Sequence, residues 1–407
     1  MASEHDKNCR TRRNFLAAAT TGVGGLIIGG ARAFGQANPA GAAQANAHRP
    51  LAAMQTSSVT LKLGEPHPTT WVKNDTNASI DVAADGTVWM ILGWKEWTIY
   101  RGTSMDNLVL EHTYQPDFAR PHGDDLYWPS GLWIDPVDGK WYCAVHCEYQ
   151  YGRYTNTAVP GKWSPDHRRR MVLTTSSDHG RSWTMIGDIL TGDNPEVPSH
   201  YTGDYYDKGP GDAHIFMDEH YFYAFYREGW YQKSANRFYE VVRAARCAKS
   251  ERMAPGKWHK WYKSAWNEPG LGGHDTDVFN SNSADTAYVF YSTSLRRYVA
   301  LIGAGDWNNP EGYIATCTDL NLQNWTNPIW FADTATHQWY NWATDNATQS
   351  RHVIGGKSFR YYTSVNSAPV WREATFIDAP AHPIVKPPLY PPASVDDYNA
   401  GWDWQLR

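Results

Sequence analysis

Acidic side chains stand beside several short apolar runs of this 407-residue sequence. The candidates for catalysis are Asp75, Asp212, Asp275 and Glu228. Two carboxyl groups can divide acid and base work once their surroundings separate their pKa values, and glycosidic bonds are hydrolysed in this way. The set therefore indicates sugar chemistry, provided that the fold brings these residues to one pocket.

The same runs carry aromatic, imidazole and basic side chains that suit substrate binding. A Trp ring can stack on the apolar face of a sugar, and a few polar groups then fix its orientation. The candidates for binding are Trp94, Trp128, His146, Glu148, His214, Arg227, His274 and Asp277.

The elements that must position these residues are predicted to be strands. The chain has 21 Trp and 25 Tyr and almost no apolar spacing of helical period, which indicates an all-β fold. A short strand, a tight turn and a longer strand recur, as in Ser79–Val82, Asp85-Gly86 and Thr87–Leu92. Similar units are predicted around 131–145 and 213–226, with further longer strands at 287–291 and 357–362. Five units of ~65 residues predict a five-bladed β-propeller; two packed sheets, or six or seven blades, are the alternatives.

A propeller would bring the candidates together at one end of its channel. The innermost strand of each blade starts at one rim, and the next strand returns to it. Strand starts then contribute Asp75, Trp128, Asp212, His214, His274, Asp275 and Asp277, and returning ends contribute Trp94, His146, Glu148, Arg227 and Glu228. Clustered polar groups at a channel mouth predict a ligand site there.

The segment Ser176–Trp183 reads S-S-D-H-G-R-S-W. It is similar to the S-x-D-x-G-x-x-W pattern, the Asp box of sialidase-like propellers. The resemblance implies a hairpin turn in which Asp178 caps backbone N–H groups and Trp183 packs beneath. This role is structural and supports the fold.

Several segments resemble the five-bladed glycosidases of the family 43 type. Trp128-Pro129-Ser130 is similar to that family's W-A-P segment, Gly211–Phe216 followed by Asp218 is similar to its D-P-S-L-F…D segment, and 288–325 is similar to its C-terminal blades. The resemblance implies a carbohydrate substrate and a role for Asp212 in orienting the acid and setting its pKa. It implies no required cofactor and allows a structural calcium or sodium ion in the central channel.

Two catalytic positions depart from that family's pattern. The family's general base begins the first inner strand, where this chain has Asn77; Asp75 lies two residues earlier on the same face and is predicted as the base. The family's acid is a Glu in an E-G-P-H segment, whereas Gly273–Asp277 offers Asp and His, so Asp275 or Glu228 is predicted as the acid. The chain is thus predicted to be a glycoside hydrolase.

Two other functions fit the same rim. A polysaccharide lyase would use His or Tyr to remove a proton and Arg to neutralise a uronate; His146, His214, His274, Tyr226 and Arg227 could supply that set. A carbohydrate-binding propeller without catalysis is the third reading.

The first 33 residues predict export. Arg12-Arg13 precedes a Gly- and Ala-rich apolar stretch, and Ala31-Arg32-Ala33 suits signal peptidase. We therefore predict a twin-arginine signal peptide at 1–33 that engages the twin-arginine export machinery, a flexible linker at 34–58 and a catalytic propeller at 59–407. The apolar stretch is too short for a stable membrane anchor, so the predicted location is periplasmic or extracellular.

The net charge bears on possible nucleic-acid binding, and the cysteine content bears on disulfide formation. A net charge of −5 offers no basic excess for nucleic acid. Apart from Cys9 in the predicted signal peptide, the cysteines are Cys143, Cys147, Cys247 and Cys317, which are predicted to be packed free thiols.

Overall fold

The computed structural model describes residues 55–93, 96–118, 124–149, 168–192, 205–232, 237–279, 284–306, 309–333, 337, 339–364 and 367–385. The chain divides into two units, Met1–Ala47 and His48–Arg407, and the described residues all belong to the second. The predicted signal peptide, most of the predicted linker and Trp94 lie outside the described residues. Within the described part of the chain, no helix is long and apolar enough to cross a membrane.

The described residues form strands that group into five sheets. The N-terminal strands are β1 (Val59–Leu63) and β2 (His67–Pro68). Blade 1 contains β3 (Ser79–Val82), β4 (Val88–Gly93), β5 (Trp97–Gly102) and β6 (Val109–Tyr114). Blade 2 contains β7 (Asp124–Ile134), β8 (Trp141–Tyr149), β9 (Arg168–Ser176) and β10 (Thr184–Leu190).

The remaining strands complete the other three sheets. Blade 3 contains β11 (Tyr205–Met217), β12 (Tyr221–Gln232), β13 (Arg237–Ala248), a 3-10 helix (Lys249–Glu251), β14 (Trp258–Tyr262) and β15 (Ala265–Pro269). Blade 4 contains β16 (Ala284–Ser292), β17 (Arg297–Asp306), β18 (Asn309–Cys317) and β19 (Ile329–Ala332). Blade 5 starts with β20 (Tyr340–Thr344); β21 (Val353–Ile354) pairs in parallel with β16, and β22 (Ser358–Ser364) and β23 (Val370–Asp378) follow.

The sheets close into a ring. Strand β1 pairs antiparallel with β23, with Val59 opposite Asp378, so the start of the described chain completes the last blade. Apolar clusters join blade 1 to 2, 2 to 3 and 3 to 4. Ile80 of blade 1, Phe290 of blade 4 and Phe359 of blade 5 share a further cluster, which joins the last two neighbouring pairs. The predicted five-bladed β-propeller is therefore confirmed.

The predicted hairpins are found as β3–β4, β7–β8 and β11–β12. In the first, Asp85 Oδ1 accepts a hydrogen bond from the Thr87 N–H (2.9 Å), and Gly86 adopts φ of 84°, the left-handed region that favours glycine. One strand differs from the prediction. The segment 287–291 was predicted as the longer, second strand of its unit, but it lies in β16, which is the innermost strand of blade 4. Strands β16 and β17 are both apolar and buried, so their order cannot be inferred from apolarity.

The turn at Ser176–Trp183 joins β9 to β10. Asp178 Oδ1 accepts hydrogen bonds from the Ser182 N–H (2.9 Å) and the Ser176 hydroxyl (2.8 Å), and buried Trp183 donates its indole N–H to Gly180 O (3.0 Å). Burial opposes ionisation of Asp178, but these hydrogen bonds lower its pKa to about 2.

The four cysteines of the described residues are buried free thiols, as predicted. Burial raises the pKa of the Cys143 thiol to about 12.

Candidate active site at one mouth of the channel

Strand starts and strand ends meet at one mouth of the channel. Asp75 precedes β3, and its N–H donates to Gly93 O at the end of β4 (2.8 Å). Trp128 on β7 lies opposite His146 on β8, with ring centroids 5.2 Å apart. Glu148 follows on β8. We call this end of the channel the mouth.

A bulge in β11 presents Asp212 to the mouth. The pairing of β11 with β12 shifts register between Gly211 and His214, and Asp212 adopts φ of 43°. Glycine is required at 211, because a Cβ there would lie 2.7 Å from Nε2 of His146. The missing side chain lets the imidazole lie against β11.

Asp212 is a buried carboxylate with three polar partners. Its Oδ2 lies 2.9 Å from Nη1 of Arg227, and its Oδ1 accepts from the Tyr340 hydroxyl (3.3 Å) and lies 3.4 Å from Nδ1 of His146. Burial alone would raise the pKa of Asp212, but the hydrogen bond and charge of His146 and the charge of Arg227 lower the pKa well below its usual range. Asp212 is therefore ionised at neutral pH.

His146 lies between two carboxylates and is only 2% exposed. Besides its contact with Asp212, its Nε2 lies 3.3 Å from Oε1 of Glu148. Burial would lower the pKa of His146, but the two carboxylates raise it to about 9. The Asp212 N–H also lies 3.2 Å from Nδ1; it can donate there only to the neutral ring, whereas the favoured imidazolium donates to the Asp212 carboxylate.

Asp75 is the second carboxyl group of the mouth, and its protonation state is the opposite. Burial, followed by the charges of Asp212 and Glu148, raises the pKa of Asp75 to about 8, although Trp128 and His146 partly offset this effect. At neutral pH, Asp75 therefore keeps its proton.

The sequence did not single out Glu240, Trp339 and Tyr340, which contact predicted residues of the mouth. Arg227 forms an ion pair with Glu240, and its guanidinium lies 5.1 Å from the ring of Trp339. Glu240 Oε1 also lies 3.4 Å from Nη1 of Arg169. Trp339 and Tyr340 stand at the start of β20, so the rule of strand starts, applied to blade 5, would have found them.

Asp275 and Glu228, predicted as alternative acids, both act on Tyr226 of β12. Asp275 accepts from the Tyr226 hydroxyl (2.6 Å) and pairs with Arg243 (3.3 Å) and Lys260 (3.2 Å). Glu228 is 1% exposed on β12, where its charge helps to raise the pKa of Tyr226, after burial and Asp275. Asp275 therefore forms buried ion pairs with two basic side chains, which is a structural role.

Three predicted binding residues make structural contacts. Nε2 of His214 lies 3.0 Å from Val289 O in the interior, and burial holds the pKa of His214 well below its usual range. The His274 N–H donates to Glu268 Oε2 (3.2 Å), and Asp277 Oδ1 accepts from a backbone N–H (2.9 Å). The structure thus brings together a subset of the predicted residues: Asp75, Trp128, His146, Glu148, Asp212 and Arg227.

The family resemblance allowed a calcium or sodium ion in the central channel. Among the described residues, no group of three or more His, Cys, Asp or Glu side chains is arranged to hold a metal ion. In the channel, the fully buried guanidinium of Arg351 donates to Ile215 O (2.7 Å) and Leu132 O (2.9 Å) on two inner strands. Its charge would repel a cation beside it. The residues around Arg351 therefore do not fit a calcium or sodium ion.

No protein-family model and no curated protein sequence matches the chain. Solved structures similar to it include the catalytic domain of a family 62 α-L-arabinofuranosidase from Coprinopsis cinerea (14% identity, 79% of this chain and 98% of that chain, TM-score 0.43). A family 117 glycoside hydrolase from Zobellia galactanivorans is 10% identical over 85% of this chain and 99% of that chain (TM-score 0.46). An endo-1,5-α-L-arabinanase from Thermotoga petrophila is 11% identical over 80% and 76% (TM-score 0.42).

Proposed function

We propose that the chain is a glycoside hydrolase that cleaves a poly- or oligosaccharide at the mouth. The observation that carries this proposal is the contrast between Asp75, whose pKa is raised to about 8, and Asp212, whose pKa is lowered. Two carboxyl groups with separated pKa values are what acid–base cleavage of a glycosidic bond requires.

The raised pKa of Asp75 favours a role opposite to the one predicted from the sequence. A carboxyl group that is protonated at neutral pH can donate its proton to the leaving oxygen, so we assign Asp75 as the general acid. Asp212 is engaged by His146, Arg227 and Tyr340, and its charge raises the pKa of Asp75. It therefore sets the protonation state of the acid. Glu148 is our candidate for the base.

The electrostatics of the mouth favour hydrolysis over lysis. A lyase needs a base that accepts a proton from the sugar ring. The pKa of His146 is raised to about 9, so the ring already holds its proton, and burial raises the pKa of Tyr340 well above its usual range. Neither group is a ready base at neutral pH.

The test is an activity screen of the purified protein against polysaccharides and oligosaccharides, with two readouts. Hydrolysis releases reducing ends, whereas lysis also produces an unsaturated sugar that absorbs in the ultraviolet. We expect reducing ends without absorbance, and a loss of about 100-fold or more in kcat for Asp75→Asn. Asp106→Asn, an exposed position that pairs with Arg360 (2.7 Å), is the control and should keep full activity.

Three outcomes would contradict the proposal. Ultraviolet-absorbing products would identify a lyase, and glycan binding without either signal would identify a binding propeller. Full hydrolytic rates in both Asp75→Asn and Asp212→Asn would show that the carboxyl groups of the mouth do not perform the reaction.

We also propose that residues 1–33 direct twin-arginine export and that the protein works in the periplasm or outside the cell. Support comes from the four buried free thiols, because a fold without disulfides among its described residues can be completed before export. Replacing Arg12 and Arg13 by Lys should leave the precursor in the cytoplasm. An unchanged distribution between cell fractions would refute this export route.

A further inference from the structure

A cavity of about 680 Å³ lies at the end of the channel opposite to the mouth. It is lined by Ile80–Val82 at the end of β3, by Phe216 and Met217 at the end of β11 and by Tyr291 near the end of β16. Asp75 precedes β3, and Asp212 lies at the bulge within β11, before the cavity-lining end of that strand. The volume is in the range of pockets that hold small organic molecules.

His352 gives this cavity a buried hydrogen-bond donor. Its Nδ1 accepts from the Met217 N–H (3.2 Å), and burial holds its pKa well below the usual range, so the neutral ring carries its hydrogen on Nε2. The residue is 6% exposed, and Nε2 has no hydrogen-bond partner among the described residues. A buried donor without an acceptor is costly, and a ligand oxygen would satisfy it.

The charged groups of the wall favour an anion. Asp81 accepts hydrogen bonds from two backbone N–H groups (2.6 and 2.9 Å), and Asp218 also accepts from two (both 2.7 Å). Asp218 is occupied by its own turn, and Asp81 by the N–H groups of Val82 and of Ile134 on β7, whereas Glu219 is exposed. Lys249 and Arg296 also line the cavity and supply positive charge to it.

The rest of the wall suits a ring that carries hydroxyl groups. Tyr291 and Tyr298 pack edge to face with centroids 5.2 Å apart and line the cavity together with Phe216. Thr348 and Ser350 add hydroxyl groups. Aromatic walls with a few polar groups are typical of sites for small polar rings.

We propose that this cavity is a second ligand site, which binds an acidic monosaccharide of the uronate class. The carboxylate of the sugar would accept from His352 Nε2–H and pair with Lys249 and Arg296, and its ring would lie against Tyr298. The site is separate from the mouth, and the proposal does not depend on the reaction there.

The test is isothermal titration calorimetry of the full chain with D-glucuronate and D-galacturonate, with D-glucose and D-galactose as uncharged controls. We expect binding of a uronate and no measurable binding of the uncharged sugars. The double variant Lys249→Gln/Arg296→Gln should bind about 10-fold more weakly or worse, the effect expected when hydrogen bonds to a charged group are lost. Lys257→Gln, another surface lysine, which pairs with Glu251 (3.6 Å), should bind as the wild type does.

A mouth variant separates the two ends of the channel. Arg227→Gln removes a charge of the mouth and should leave uronate affinity unchanged. The proposal is overturned if the wild type binds neither uronate, if D-glucose binds as tightly, if the double variant keeps full affinity, or if Arg227→Gln rather than the double variant loses binding.

Discussion

Replacing Asp75 by Asn is expected to make the protein more stable while it stops catalysis. Burial and the charges of Asp212 and Glu148 raise the pKa of Asp75 from 3.8 to about 8. At pH 7 the folded protein must therefore hold a proton that the unfolded chain releases. From pH 3.8 to pH 7, at about 1.36 kcal/mol per unit, this costs up to about 4 kcal/mol of the free energy of unfolding. Asn has a similar shape and does not ionise, so the variant avoids the cost.

The pH dependence of this gain follows from proton linkage. At about pH 4 and below, the carboxyl group is protonated in both states, and the variant gains little. Between about pH 4 and pH 8 the folded state binds more protons than the unfolded state, so the stability that Asp75 contributes is lost as pH rises. The advantage of Asp75→Asn should therefore grow across this window and become constant above it.

Thermal unfolding at a fixed scan rate, repeated at about pH 4, 6 and 8, measures the effect. Asp85→Asn is the matched control, because Asp85 is exposed and hydrogen bonds from Thr87 lower its pKa. It should not stabilise the protein at any of these values. The reasoning is refuted if Asp75→Asn is no more stable than the wild type at pH 8, or if its gain is the same at pH 4 and pH 8.

Three further predictions concern the mouth and its support. The pH profile of kcat/KM should fall as Asp75 loses its proton near pH 8. Glu148→Gln removes a negative charge and should lower the pKa of Asp75, followed by infrared titration of the carboxyl group because the variant also lacks the proposed base; an unmoved pKa would exclude the electrostatic coupling. Gly211→Ala places a Cβ 2.7 Å from the His146 ring, so we expect a loss of about 1–3 kcal/mol in stability and a larger relative loss of activity, measured by thermal unfolding and reducing-end release. Asp178→Ala removes the cap of the β9–β10 turn and should cost about 1–2 kcal/mol with unchanged kcat; a fall in kcat would contradict a purely structural role.

The five blades could be predicted because their signals are local. Each hairpin such as β3–β4 carries its own turn chemistry, and Asp85 and Gly86 show it within a few residues. Many residues of the mouth could be predicted from the same strand and turn signals. Once inner strands start at one rim and their partners return to it, Asp212 and His146 must lie close together.

The protonation states and ion pairs could not be predicted, because they depend on contacts between residues that are far apart in the sequence. Asp75 keeps its proton through burial and through charges on blades 2 and 3. Neither effect can be inferred from the residues around position 75, so the family resemblance led to the prediction of a base. Asp275 is similar: its partners Arg243 and Lys260 lie on β13 and β14. Their basic side chains turn a predicted acid into one member of a buried ion pair.

The central claim is that the mouth contains a protonated carboxyl group, Asp75, and a carboxylate, Asp212, at neutral pH. Infrared difference spectroscopy of the wild type against Asp75→Asn tests it directly. At pH 7 the spectrum should contain the band of one protonated carboxyl group, which disappears on titration near pH 8 as the pKa of about 8 requires. A spectrum that shows only an ionised carboxylate at pH 7 would contradict the claim.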